Sequence, residues 1–217
     1  MAKAGAPSSA SAKGSERSVH TRQQFVDAAI DTLKSDGYAG ASARTIAQRA
    51  GLNQGLIFYH FGSVASLLLA ALDAVSAERL QIYGSAVASA STPSQLVEAA
   101  EEIFRNDLEA GYITVLVEMI AGASSTPGLG PEVTQRIQPW REFAQSTIGT
   151  SLRNSPLSSV LPAKDVAHAV VALYLGLEML SHLDGDSDPA LALFGHARQL
   201  ASLVEAMTAP TSPKEST

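Results

Sequence analysis

The stretch from Ser42 to Gly62, SARTIAQRAGLNQGLIFYHFG, constrains this chain more than any other part of it. Two short helices are written there, divided by one glycine. Ser42 is of the type that accepts from the first free N–H groups of a helix. Ile46, Ala47 and Ala50 follow at spacings that share one helical face. Gly51 then stands where a helix ends on a left-handed residue, a conformation glycine adopts without steric cost. Leu52 and Asn53 restart the chain. Asn53 caps the second helix, and Leu52 is placed to pack on Ile57 across its start. Ile57 and Phe61 form the inner stripe, which leaves Gln54, Gly55, Leu56, Phe58, Tyr59 and His60 on the outer face. A helix this short does not persist alone in water. It needs the first as a support, and the pair reads as a helix-turn-helix.

This pattern resembles the TetR family of bacterial transcriptional regulators. The resemblance rests on residues 42–63: Ser42, Arg44, Ile46, Ala47, Ala50, Gly51 and Leu52, then Gly55, Ile57, Tyr59, His60 and Phe61, then Ser63. It extends upstream to an apolar helix ending in Gly37 and Tyr38. Downstream, only helix number and length agree. The resemblance implies an all-α homodimer in which a small effector relieves repression. Three positions depart from the pattern: Val64 where family members often have lysine, Phe58 where they tend to have tyrosine, and Leu56 where a small or hydroxyl residue is usual. The first removes a phosphate contact; the other two make the base-facing surface more apolar.

The chain's 217 residues leave room for one or two domains, and a 46% hydrophobic composition supplies a packed core. There is no cysteine, hence neither a disulfide framework nor thiolate chemistry. Residues 1–17 contain no apolar segment of the signal-peptide kind. The longest near-apolar run, Val166 to Leu180, includes Glu178 and falls short of the roughly 20 residues needed to cross a bilayer. A cytoplasmic protein without a membrane partner is expected. The net charge of −6 is unevenly spread. Residues 1–62 carry seven Lys and Arg against four acids, a local balance of +3, which leaves −9 for the remainder. The positive end can face phosphate, and the acidic body resists lying on DNA.

Taken in order, residues 1–17 read as a disordered basic tail, either a solubilising segment or a basic arm that touches DNA. Residues 18–62 form a three-helix DNA-binding domain whose first helix runs from about Ser18 to Ser35, with Phe25, Ala29 and Leu33 inward. Residues 63–208 form a larger helical effector-binding and dimerisation domain, and residues 209–217 a polar tail. Ser63 caps a helix to about Ala90, in which Leu68, Leu72 and Val75 pack on the N-terminal bundle. Helices follow at about 93–110, 112–123, 131–153, 163–182 and 189–208, with breaks at 124–130 and 154–162. Nothing alternates with period two, so the fold class is all-α with about nine helices. The helix beginning near Ala163 is apolar almost all round and must be covered on several sides. In the last helix Ala190, Leu193, Ala197, Leu200, Val204 and Met207 make a heptad-like seam. Val170, Leu173 and Leu177 with Leu193, Ala197, Leu200 and Val204 are the expected dimer interface, a four-helix bundle shared by two subunits. The alternative is burial of both helices within one subunit.

The candidate DNA-binding residues are Arg44, Thr45, Asn53, Gln54, Gly55, Leu56, Phe58, Tyr59 and His60. A recognition helix in the major groove presents side chains to base edges while the preceding helix lies over the backbone. Gln54 suits adenine or phosphate, Leu56 and Phe58 suit thymine methyls, and Gly55 permits close approach. Tyr59 and His60 suit phosphates. Arg44 and Thr45 occupy places that family members use for base edge or phosphate. For Phe58 and Tyr59 core packing is the rival role. A dimer would place two such helices about 34–36 Å apart, or a multiple of that, on a palindromic duplex operator.

The candidate effector-binding residues are Phe104, Tyr112, Glu118, Met119, Trp140, Phe143, Tyr174 and Glu178; ordinary core packing is the rival role for the bulky ones. Glu118 and Glu178 stand in apolar surroundings, where a carboxylate pairs with an Arg, reaches solvent or meets a cationic ligand. Glu178 and His182 share a helix face but lack further metal ligands, and the Asp184, Asp186, Asp188 series has Pro189 where a calcium loop requires glycine. No metal, cofactor or catalytic residue is assigned, and no motif of a nucleophile elbow, zinc helix or phosphate loop is present. The rival function is a helical small-molecule carrier or enzyme whose N-terminal bundle is only structural.

Overall fold

The computed structural model describes residues 9–152 and 162–208, with side chains from Gly14 onward. They form nine helices and no strand: α1 (Ser9–Gly40), α2 (Ala43–Ala50), α3 (Gly55–Phe61), α4 (Val64–Ala88), α5 (Pro93–Ala110), α6 (Tyr112–Ser125), α7 (Leu129–Leu152), α8 (Ala163–Asp184) and α9 (Asp188–Thr208). The expected all-α fold is observed. The N-terminal tail expected to be disordered over residues 1–17 is helical from Ser9, because its Ala, Ser, Lys and Glu residues continue the α1 ladder without a proline. Residues 1–8, the tail at 209–217 and the expected break at 154–162, Pro162 apart, lie outside the described residues.

The glycine and hydroxyl punctuation acts as the sequence suggests. Ser42 caps α2 by accepting from the Thr45 N–H at 3.1 Å, and Ser63 caps α4 by accepting from the Ser66 N–H at 3.0 Å. Thr92 accepts from the Gln95 N–H, with Pro93 in the first turn of α5. Gly51 closes α2 with φ 67°, its N–H reaching the Ala47 and Gln48 carbonyls. At Gly37, φ is 68° and ψ −178°, so α1 breaks there and resumes to Gly40.

The chain divides into two compact units, drawn differently from a cut at Gly62. One comprises the residues up to Ser76 with Thr114–Val133; the other comprises Ala77–Ile113 and Thr134–Thr217. Thus α4, α6 and α7 each contribute residues to both. The first unit's core is Phe25, Ala29 and Leu33 of α1, Ile46 of α2, Ile57 of α3 and Leu67, Leu68 and Leu72 of α4, all essentially inaccessible. In the second unit α5 packs along α9 and touches α8. Glu205 of α9 accepts from the Ser94 N–H at 2.6 Å, which satisfies one free donor of the first turn of α5. The α8 helix has 22 residues, longer than expected from the apolar run alone, and on length and composition it is sufficient to cross a membrane.

Candidate functional site

The short helix α3 is held from three sides. Asn53 places its side-chain oxygen 2.7 Å from the Gly55 N–H, as an Asx turn does, and so caps the helix from two residues before it. A Cβ at Gly55 would crowd the same oxygen at 3.1 Å, so glycine leaves that contact unhindered. Ile57 is fully buried beneath the helix. At the far end the Arg22 guanidinium of α1 donates to the His60 carbonyl and lies 4.3 Å from the Phe61 ring centre. Phe61, expected in the core, is half-buried and meets Phe25 edge-on at 6.4 Å.

What remains on the outside of α3 is apolar and aromatic. Phe58 is 53% exposed and Tyr59 80% exposed, so neither is a core residue. Tyr59 stands edge-on to the half-buried His60 at 4.9 Å. Gln54 and Gly55 are exposed, and Leu56 is half-buried. On α2, Arg44 is exposed, whereas the Thr45 hydroxyl is engaged with that of Ser42 at 2.8 Å. Asn53 and Thr45 therefore have structural partners of their own. Arg22, which sequence reasoning missed, positions the helix end; its signal was a lone arginine one turn before Phe25 on the face of α1 that meets α3.

A second feature of this unit is the seat of Tyr38. The Glu118 carboxylate of α6 accepts from the Tyr38 N–H at 2.7 Å, immediately beyond the break at Gly37. A Cβ at Gly37 would stand 2.8 Å from that carboxylate. The Tyr38 ring lies on Gly122, where a Cβ would clash at 2.4 Å, and its hydroxyl shares a hydrogen bond with Thr126 at 2.9 Å. Glu118, one of the effector candidates, thus fastens α1 within the first unit. Met119, also an effector candidate, is fully buried in this same unit.

The other effector candidates come together in the second unit around two acids. Asp107 of α5 is buried, paired with buried Arg79 of α4, and accepts from the Tyr83 hydroxyl. The Tyr174 hydroxyl of α8 donates to it at 3.0 Å. Arg79 also lies 4.2 Å from the Tyr112 ring centre. Trp140 and Phe143 meet Tyr83 at 5.2 and 6.4 Å, and Phe104 touches Tyr174 and Phe194 at 5.7 and 5.2 Å. Glu178, one turn beyond Tyr174, is fully buried, and neither of its oxygens has a hydrogen-bond partner among the described residues. Burial and the neighbouring Asp107 charge push its carboxyl up to about 8, against the opposing pull of Tyr174 and Arg79. Burial likewise raises Asp107, although Arg79 counteracts it, and burial and the two acids raise the Tyr174 hydroxyl. Arg79 and Asp107 were missed by the sequence reading. Each sits one turn from an apolar or aromatic residue on a buried face, Arg79 between Val75 and Tyr83, Asp107 beyond Phe104.

The expected subunit face is mixed. On α8, Val170 and Leu173 are exposed, while Leu177 is half-buried. On α9, Leu193, Ala197, Leu200, Leu203 and Met207 are exposed, while Ala190 is buried and Val204 half-buried.

The architecture and the α2–α3 surface define a helix-turn-helix protein with a helical body. Residues 25–71 match the family described as bacterial regulatory proteins, tetR family. An uncharacterized HTH-type transcriptional regulator of Mycobacterium tuberculosis is 31% identical over 108 residues, which cover 50% of this chain and 55% of that one. The chain spans about half the length of the mycobacterial relatives it matches. The HTH-type transcriptional regulator BetI of Cronobacter sakazakii is 29% identical over 76% of this chain and 80% of its own. Among solved structures, a TetR transcriptional regulator from Chloroflexus aurantiacus superposes with a TM-score of 0.72 at 23% identity, covering 86% of this chain and 96% of that one. The regulator FadR from Bacillus subtilis, in complex with stearoyl-CoA, superposes with a TM-score of 0.70 at 13% identity, covering 82% and 96%. Residues 25–71 are thus similar to the TetR family's N-terminal segment, and the fold as a whole is that of these solved regulators.

Proposed function

We propose that this chain is a homodimeric regulator of transcription that reads a duplex operator with α2 and α3 and leaves it when a small effector binds the helical body. The observation that carries the reading is α3 itself. A helix of seven residues is fixed by Asn53, Ile57 and Arg22, and it spends that rigidity on displaying Phe58 and Tyr59 to solvent. Large exposed aromatics on a rigid, short helix fit a groove better than they fit water. Arg44 on α2 and Gln54 just before α3 are exposed as well and suit phosphate or base edge.

The exposed leucines of α8 and α9 are the proposed subunit face. It supplies the second reader that one module, with few contacts, needs for a palindromic site. An effector that prefers one of two dimer states lowers operator affinity by the ratio of its affinities for the two. Repression, rather than activation, is inferred from the family resemblance.

The test is selection of bound fragments from the host genome by the purified chain. Recovery of a palindrome whose half-sites lie one helical turn or a multiple apart, with affinity falling as salt rises, supports the reading. A chain that binds no fragment at any salt concentration is a carrier or enzyme instead.

A further inference from the structure

We infer that the second unit holds a binding site for a small organic cation, with Glu178 as its counter-charge and the aromatic rings around Tyr174 as its wall. The inference rests on the proposed regulator reading and names the chemical class of its effector.

The argument begins with charge balance. The buried polar cluster contains two carboxyl groups, Asp107 and Glu178, and one cation, Arg79. Arg79 is committed to Asp107, which also receives the Tyr83 and Tyr174 hydroxyls. Glu178 has no cation committed to it: neither oxygen has a hydrogen-bond partner of ordinary geometry among the described residues, Tyr174 and Arg79 act on it only as opposing pulls, and its side chain is wholly removed from solvent. A buried acceptor in that condition carries its full desolvation penalty, so a stably folded chain has no structural use for it. Leucine at the same place would pack without that penalty. The simplest account of a glutamate there is a partner that comes from outside.

The neighbouring side chains say what kind of partner. Tyr174, one turn away on α8, packs on Phe104, which in turn packs on Phe194, so the neighbourhood is aromatic rather than rich in carboxylate or imidazole ligands. Ring faces attract organic cations, and most strongly where water is excluded. A metal ion needs several hard or imidazole ligands. Among the described residues no group of three or more His, Cys, Asp or Glu side chains is placed to hold one. A protonated amine or quaternary ammonium group satisfies both features at once, the carboxylate by charge and the rings by cation–π contact.

The charged and titratable groups facing Glu178 are Asp107 of α5, Arg79 of α4 and Tyr174 of its own helix. With no ligand and near neutral pH, Glu178 holds its proton. A bound cation favours the carboxylate, so binding below about pH 8 releases a proton. The balance closes: one positive charge enters, and one proton leaves to buffer.

The test uses the full-length chain, calorimetry, and three cations of increasing size: tetramethylammonium, tetraethylammonium and benzyltrimethylammonium. Neopentylbenzene, the uncharged isostere of the last, is the control. At least one cation is expected to bind, at least ten-fold more tightly than its uncharged counterpart or than to Glu178→Gln. The heat at pH 7 should vary with buffer ionisation enthalpy as proton release requires. Equal binding of benzyltrimethylammonium and neopentylbenzene overturns the proposal, as does failure of all three cations. The isostere comparison needs no variant, so it stands even if Glu178→Gln does not fold. Genomic fragment selection run on the same preparation separates the two readings. Operator binding without any cation binding leaves the regulator intact and removes this proposal; cation binding without DNA binding does the reverse.

Discussion

A carboxyl group held at Glu178 has a thermodynamic signature that does not depend on any ligand. Its pKa is raised by burial from an ordinary 4.5 to about 8 in the folded chain. The folded state therefore binds a proton that the unfolded state has already lost between those values. The contribution to stability is fully present below about pH 4.5, declines as pH rises through the interval, and is gone above about pH 8. We expect Glu178→Gln to flatten this slope. The variant should gain up to about 4 kcal/mol relative to the parent between pH 5 and pH 8.5, measured as a difference in urea denaturation. Equal slopes for the two proteins would remove the buried ionisation. On α3, Tyr59→Ala should weaken operator binding across unrelated sequences and leave the salt slope unchanged, as loss of an uncharged phosphate contact does. Phe58→Ala should instead relax preference at one base pair by about 1–3 kcal/mol, read from a panel of operator variants. If the two changes behave alike, the division of labour on this helix is wrong.

At the scale of the element, the ends of helices were legible because their causes are local. Ser42, Gly51, Ser63, and Thr92 with Pro93 each act within a turn of their own position. Partners distant in sequence were not legible. Nothing in the spacing of residues indicates that Glu118 reaches the Tyr38 N–H, that Arg22 reaches the His60 carbonyl, or that Arg79 pairs with Asp107. The α1 start was missed for a different reason: a segment rich in Ala, Ser and Gly looks unstructured by composition, yet extends a helix already nucleated by the core. Gly37 shows how the two kinds of information combine. Its left-handed φ is a local matter, but the carboxylate beside it comes from α6. Gly37→Ala therefore meets both obstacles, and we expect a loss of about 1–3 kcal/mol of stability in thermal or denaturant unfolding. Gly84→Ala is the tolerant control. Gly84 lies inside α4 with helical φ, and a Cβ there would meet open space, so its replacement should leave stability unchanged or raise it.

For the whole molecule, the exposed leucines of α8 and α9 set the expectation of a dimer. Leu193 and Leu200 are 49% and 65% exposed, so charge introduced there leaves the single subunit's core untouched. Leu193→Glu with Leu200→Glu should yield a folded monomer by sedimentation and helical content, and operator affinity should fall at least a hundred-fold with the loss of the second half-site. A double variant that still sediments as the parent's dimer places the subunit face elsewhere. This face is cleaner for the purpose than the seam read from the heptad alone, because Ala190 and Val204 are turned at least partly into their own subunit.

The Tyr38 amide donates to a side chain lying 80 residues further along the chain. Its deuterium exchange rate is consequently a single-site gauge of whether α6 is seated against the end of α1. A slow amide immediately after a helix break, accelerated by Glu118→Ala while its helical neighbours stay protected, is the signature of that one clasp.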